Sequence, residues 1–84
     1  MGNLEKPILY ILNGKADANI HFIDLCGLLI YLGFEDRIKG SHHIFRKSGV
    51  EEKINLQKDD NKAKPYQVRQ VRQVILKYKL GELE

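Results

Sequence analysis

The chain has few of the residues that staple or anchor small proteins. Its 84 residues include one cysteine, two prolines and no tryptophan. A single thiol excludes an internal disulfide, and the apolar run around residues 25–32 is too short to cross a bilayer. No signal-peptide pattern is present at the start of the sequence. These features predict one domain over residues 1–84, cytoplasmic and not associated with a membrane.

Charge is unevenly distributed along the chain. Residues 1–36 carry two basic and five acidic side chains, a net charge of −3, whereas residues 37–80 carry twelve basic and four acidic side chains, a net charge of +8. Clustered positive charge attracts polyanions through counterion release, whatever their sequence. A solvated charged face is the ordinary alternative, and the clustering favours contact with nucleic acid over it.

Hydrophobic periodicity divides the chain into helices and strands. Helical spacing predicts a short helix over residues 5–12, a second over 22–32 that Gly33 ends, and a third over 65–79. Alternating spacing predicts strands over 34–39, 42–47 and 52–57, joined by turns at Gly40-Ser41 and Ser48-Gly49. Residues 58–64 are polar and basic, which is typical of a loop.

The order of these elements predicts an α+β fold. Each of the two longer helices carries an apolar stripe, and we expect both stripes to cover one face of a three-stranded antiparallel sheet. This is the order of a double-stranded-RNA-binding domain, with an extra short N-terminal helix. We therefore expect a core over residues 20–80 and an extension over residues 1–19.

Residues 39–46, Lys-Gly-Ser-His-His-Ile-Phe-Arg, combine a proton-transfer group with cations. An unperturbed histidine titrates near pH 6.5, so it acts as base or acid around neutrality. RNA carries its own nucleophile, the 2′-hydroxyl beside each phosphate. Cleavage therefore needs proton transfer and positive charge, and the motif requires no metal or other cofactor for it.

The motif contains two adjacent histidines, and only one of them can face a substrate. His42 and His43 point to opposite faces of any regular strand. The residues alone leave the choice between them close to even. A lone histidine at the start of a strand is also commonly a structural residue that hydrogen-bonds the turn, so this reading stays open.

The same segment, together with Leu32-Gly33-Phe34, resembles the HicA family of bacterial toxins over roughly residues 20–80. The resemblance implies a double-stranded-RNA-binding-like fold and messenger-RNA interferase activity. It also implies that His42, the histidine after Gly-Ser, is the catalytic residue. It also implies a HicB-type antitoxin that covers the active surface. The chain departs from the family further on, where Ile54-Asn55-Leu56-Gln57 stands in place of a Val-Pro-x-His segment.

Several residues around the motif and before the last helix are predicted to bind RNA: Lys39, Gly40, Ser41, Arg46, Lys62 and Lys64. Gly40 permits close approach of the backbone to a phosphate, and Ser41 supplies donors. Arg46 shares a strand face with His42, about 13 Å away at ~3.3 Å per residue. The pair Lys62 and Lys64 precedes a helix N-terminus, which itself favours phosphate; a solubilising loop is the alternative.

The other histidines, the cysteine and the basic residues of the last helix are predicted to have structural roles. A metal site is not expected, because His42 and His43 diverge, His21 lies on another element, and no carboxylate or cysteine shares their local spacing. Cys26 is predicted to be a small core residue. We interpret Arg69, Arg72 and Lys77 as the solvent face of the last helix. A non-catalytic RNA-binding module, or a protein-interaction domain that uses the apolar helix around Cys26, remains as an alternative function.

Overall fold

The computed structural model describes residues 10–80 and consists of helices and one sheet. Residues 10–13 are helical, and a single 3₁₀ turn follows at Asp17–Asn19; the regular elements are α1 Phe22–Tyr31, β1 Glu35–Lys39, β2 His42–Lys47, β3 Val50–Gln57 and α2 Pro65–Tyr78. The predicted α+β class is confirmed. Most of the predicted first helix lies outside the described residues. Within residues 10–80, no helix has the length and apolar character needed to cross a bilayer.

The sheet is an antiparallel meander in the order β1-β2-β3. Lys39 lies opposite His42 across β1 and β2, and Gln57 lies opposite His42 on the other side. The β2–β3 register shifts between Phe45 and Lys47, which indicates a bulge that places extra residues in β3. As a result β3 begins at Val50, two residues earlier than the alternating pattern predicted.

Alternation along the strands gives the sheet a buried face and an open face. The buried residues of the sheet and helices form one cluster, which includes Phe22, Leu25, Leu29, Phe45, Ile54, Leu56, Val68, Val71 and Ile75. Residues between the buried positions of β2 and β3 turn outward. We call their side the open face, and define it by Glu35, Arg37, Lys39, His42, Ile44, Arg46, Lys53, Asn55 and Gln57.

Both long helices end in a left-handed residue. Gly33 has φ +99°, its N–H donates to the Ile30 carbonyl, and the Phe34 N–H donates to the Leu29 carbonyl. This pattern is a Schellman motif, so the predicted role of Gly33 is confirmed. After α2 the corresponding position is held by Lys79, which has φ +55°. Gly81, which was expected just beyond the helix, lies outside the described residues.

The end of the predicted extension belongs to the core. Ile11 is fully buried in the main cluster. Arg72 of α2 donates from Nη1 to the Ile11 carbonyl at 3.1 Å and to Asp17 Oδ1 at 3.0 Å. The prediction that Arg72 belongs to a solvent face is therefore wrong, because its guanidinium is occupied in joining the N-terminal segment to α2. Arg69, three residues earlier, is exposed as expected.

The predicted loop over residues 58–64 contains ordered backbone pairing. Asp59 and Lys62 exchange backbone hydrogen bonds around a tight turn. The Ala63 N–H donates to the Ile20 carbonyl at 2.9 Å, and the Phe22 N–H donates to the Asn61 carbonyl at 3.0 Å. These bonds hold the entrance of α2 against the start of α1, which fixes where the N-terminal half of α2 meets the sheet.

Candidate nucleic-acid interface

His42 lies on the open face as the first residue of β2. Gly40 of the preceding turn has φ +61°, a conformation that favours glycine. The exposed His42 ring has Nδ1 3.1 Å from Oδ1 of Asn55 on β3. With the amide oxygen as acceptor, Nδ1 is the donor in this contact, and Nε2 of the neutral ring keeps a free lone pair.

His43 lies on the opposite side of the sheet, as the alternation predicted. Its Nδ1 is 3.0 Å from Oδ2 of Asp36. Its ring packs edge-on against Phe22, with centroids 5.1 Å apart, and parallel to Phe45 at 6.3 Å. These contacts give His43 a structural role between the sheet and α1, and leave His42 as the histidine of the open face.

The turn before His42 is held by β3. The Nε2 atom of Gln57 donates to Oγ of Ser41 at 3.3 Å. With the contact between Asn55 and His42, this bond ties two consecutive residues of the motif to alternate residues of the neighbouring strand. Neither Asn55 nor Gln57 was identified from the sequence, because only the register of β2 on β3 brings them to the motif.

A small cavity lies between this part of the sheet and the N-terminal half of α2. Its volume is about 300 Å³, and it is lined by His42, Lys53, Asn55, Gln57, Tyr66, Gln67 and Gln70. We call it the amide cavity, because four of the seven described residues that line it carry side-chain amides. Neither Lys62 nor Lys64 is among the described residues that line it, although Lys64 immediately precedes α2.

A larger depression crosses β1 and extends over the open face. Its volume is about 900 Å³, and its lining includes Arg37, Lys39, Arg46 and Lys53 with Ile44 between them. Glu35 and Asp36 also border it. Of the four cations, Lys39 and Arg46 were identified from the sequence. Arg37 was missed although it shares the strand parity of Lys39, whereas Lys53 reaches this face only because of the tertiary pairing. Lys53 borders both cavities.

The two lysines before α2 differ in their surroundings. Lys62 donates from Nζ to Oδ1 of Asn19 at 3.2 Å, and its backbone pairs with His21. It therefore lies beside the N-terminal segment. Lys64 stands directly before Pro65, and its N–H donates to Oε1 of Gln67 at 3.4 Å. The structure thus separates Lys62 from the amide cavity and leaves Lys64 beside the helix that forms one of its walls.

Cys26 has the environment of an unreactive thiol. Burial, with a smaller effect of the Asp36 carboxylate, raises the pKa of Cys26 to about 11. A thiol with so high a pKa is protonated at neutral pH and is a poor nucleophile. Within the described part of the chain, no group of three or more His, Cys, Asp or Glu side chains is arranged to hold a metal ion.

The open face therefore joins an oriented imidazole, a row of cations and a cavity of amides. Such a surface can bind an extended polyanion and exchange a proton with a group at Nε2 of His42. No protein-family model, curated protein or solved structure matches this chain.

Proposed function

We propose that the protein is a HicA-type toxin with a double-stranded-RNA-binding-like fold, which cleaves messenger RNA without a metal ion. The observation that supports this most directly is the His42 ring, which is exposed on a cationic face and oriented through Nδ1 by Asn55. The hydrogen bond of His42 is made to β3 and not to the turn, whereas His43 uses its ring in packing against Phe22 and Phe45.

In the proposed reaction His42 transfers one proton across the scissile phosphate. Nε2 accepts the proton of the ribose 2′-hydroxyl, and the 2′-oxygen forms a bond to phosphorus. The bond from phosphorus to the 5′-oxygen breaks, and the imidazolium returns the proton to that leaving oxygen. The products are a 2′,3′-cyclic phosphate and a 5′-hydroxyl end. A positioned acid or base of this kind contributes about 10²–10⁴-fold in rate.

The cations of the open face would hold the RNA backbone and its developing charge. Lys39 lies directly opposite His42 in the β1–β2 pairing, where cross-strand side chains on one face approach to about 5 Å. Arg46 lies on the same face four residues further along β2 and would bind a neighbouring phosphate. Lys53 links this row to the amide cavity.

The proposed partner is a HicB-like antitoxin that covers the open face. Among the described residues the open face carries four cations and the carboxylate of Glu35, so its net charge is positive. A neutralising protein that supplied carboxylates there would exclude RNA. Messenger RNA as substrate implies that the protein acts in the cytoplasm.

The proposal is tested by inducing the chain in bacteria in parallel with the His42→Ala variant. His21→Ala is the matched control, because His21 is also exposed but lies at the start of α1. We expect growth arrest with the parent and the control, and normal growth with His42→Ala. Purified parent should convert RNA to products with 2′,3′-cyclic phosphate ends, while 2′-O-methylated RNA stays intact. Equal arrest by all three chains would reject His42 as the catalytic residue.

A protein-interaction domain is the second candidate, because α1 leaves apolar side chains uncovered. Ile23 is 79% exposed, and Ile30 and Tyr31 are each more than half exposed. Exposed apolar patches of this kind mark contact surfaces. If purified protein neither cleaves nor binds RNA at low salt, this candidate replaces the toxin. RNA binding that weakens steeply with salt, without cleavage, would instead indicate a non-catalytic RNA-binding module.

A further inference from the structure

The amide cavity has a lining unlike that of the cationic depression beside it. Asn55, Gln57, Gln67 and Gln70 contribute amides, Tyr66 contributes an aromatic ring, and Lys53 is the one lysine among the described residues that line it. Phosphate sites use cations and backbone N–H groups. Neutral groups that both donate and accept hydrogen bonds instead match a neutral ligand whose edge alternates donors and acceptors.

Gln67 is the buried polar residue of this wall. It is 1% exposed, borders the cavity, and accepts one hydrogen bond from the Lys64 N–H through Oε1. No hydrogen bond joins its amide nitrogen, or the side-chain amide of Gln70, to another group of residues 10–80, yet among these residues no wholly buried side-chain nitrogen or oxygen lacks a partner. The free amide groups of Gln67 and Gln70 are therefore accessible from the cavity, where they can donate to a ligand in place of solvent.

Tyr66 adds a face on which a flat ring can stack. It is 57% exposed although it borders the cavity, so one side of its ring is accessible. Sequence-specific RNA recognition uses this combination, in which unpaired bases stack on aromatic side chains and present their edges to hydrogen-bonding groups. A cavity of about 300 Å³ lies at the lower end of ligand-pocket sizes, which suits one base.

We propose that the amide cavity binds one unpaired nucleobase of single-stranded RNA, adjacent to the phosphate that reaches His42. This proposal extends the proposed function and rests on it, because the proposed function identifies the cleaved strand as RNA. Tyr66 stacks on the base, and Gln67 and Gln70 contact its edge. Lys53 borders both the base site and the cationic depression, so it marks the point where the backbone passes from one to the other.

The proposal also specifies the conformation of the RNA. In an A-form duplex the bases are stacked and paired, and the deep, narrow major groove keeps side chains from their edges. A base can enter a cavity beside His42 only where the strand is unpaired. The open face therefore selects single-stranded segments, although the element order is that of a fold associated with duplex RNA.

The test measures binding of short, fluorescently labelled 2′-O-methyl oligomers of A, U or C to the full chain at constant salt. These oligomers cannot be cleaved, so binding is measured independently of catalysis. The variants are Tyr66→Ala, Tyr66→Phe and Gln70→Leu. Tyr31→Ala is the matched control, because Tyr31 is also 57% exposed but lies on α1.

We expect Tyr66→Ala to weaken binding of every oligomer about 5- to 150-fold, since stacking is tolerant of base identity. Tyr66→Phe and Tyr31→Ala should bind as the parent does. Gln70→Leu should change the ratio of affinities between oligomers, since edge contacts depend on the base. A duplex of the same length should compete poorly.

Two outcomes separate this proposal from the proposed function. If Tyr66→Ala and Tyr31→Ala bind all oligomers as the parent does while the parent cleaves RNA through His42, the base site is rejected and the toxin stands. If binding depends on Tyr66 but no cleavage occurs, the base site stands and the nuclease is rejected.

Discussion

The Nδ1 atom of His42 lies 3.1 Å from Oδ1 of Asn55, so β3 orients the ring that β2 carries. In this contact Nδ1 donates to the amide oxygen. The hydrogen-bond partners of catalytic and metal-binding histidines fix the ring tautomer in the same way. Asn55 is thus a positioning residue in the proposed reaction. In the cleavage step it acts through His42.

Replacing Asn55 tests this relationship. Asn55→Leu should lower kcat for RNA cleavage about 2- to 10-fold, the equivalent of one ordinary hydrogen bond. Asn55→Asp should keep the tautomer and stabilise the imidazolium, so the acidic limb of the pH–rate profile should move to higher pH. The measurement is kcat against pH, together with the ring-nitrogen NMR signals of His42. An unchanged tautomer in Asn55→Leu would contradict the assignment.

The Arg72–Asp17 pair is expected to stabilise the fold. Nη1 of Arg72 contacts both carboxylate oxygens of Asp17, at 3.0 and 3.3 Å, as well as the Ile11 carbonyl. Arg72→Ala should lower the free energy of unfolding by about 1.5–3 kcal/mol, the range for hydrogen bonds to charged groups. Urea denaturation measures this change. The control is Arg69→Ala, at an exposed position, which should leave the free energy of unfolding nearly unchanged. Equal effects of the two substitutions would show that the contacts of Arg72 with Asp17 and Ile11 do not stabilise the fold.

We expect the free energy of unfolding to depend on pH through the carboxylate of Glu52. Lys77 donates to Oε2 of Glu52 at 2.8 Å and the Tyr78 hydroxyl donates to Oε1 at 2.7 Å. The hydrogen bond from Lys77, and to a smaller extent that from Tyr78, lowers the pKa of Glu52 from its usual 4.5 to about 2. The carboxylate therefore contributes stability that is complete above about pH 4.5 and is lost as the pH falls through about 2.

The Glu52→Gln variant should accordingly have a lower urea midpoint than the parent at pH 7, and the two midpoints should converge near pH 2. Glu51→Gln is the control, because the Glu51 side chain has no ion pair among residues 10–80. A constant difference between Glu52→Gln and the parent across this pH range would contradict the role of the ionised carboxylate.

Lys79 is expected to be a site where glycine stabilises the protein. Lys79 has φ +55° at the end of α2. The next residue, Leu80, donates its N–H to the Ile75 carbonyl at 2.9 Å. The left-handed conformation costs a residue with a Cβ about 1–2 kcal/mol. Lys79→Gly should therefore raise the free energy of unfolding by about 1 kcal/mol in thermal or urea denaturation. The exposed Lys58→Gly, in the loop after β3, should give no such gain.

Features of the fold that depend on local periodicity were predicted correctly. The stripe of Val68, Val71 and Ile75 in α2 is buried, because the 3.6-residue period places these residues on one side of any helix. Gly33 ends α1 because a left-handed position after a helix favours glycine. His42 and His43 face opposite ways because the period of a strand is two.

Other features escaped prediction because they depend on residues distant in the sequence. Gln67 is polar and adjacent to the apolar stripe, yet it is 1% exposed, since the packing of α2 beside the sheet encloses it. The sequence predicted Arg72 on a charged face, whereas in the structure its guanidinium contacts the N-terminal segment at the Ile11 carbonyl. Asn55 meets His42 only in the register that β2 and β3 adopt.

The sequence alone determined the helices, the strand meander, the concentration of positive charge after residue 36 and the outward direction of one histidine, because each follows from neighbouring residues and fixed backbone periods. Tertiary structure decided which side chains surround His42. The pairing of β3 with β2 and the position of α2 bring Asn55, Lys53 and Tyr66 to it from up to 24 residues away, and no local pattern encodes such contacts.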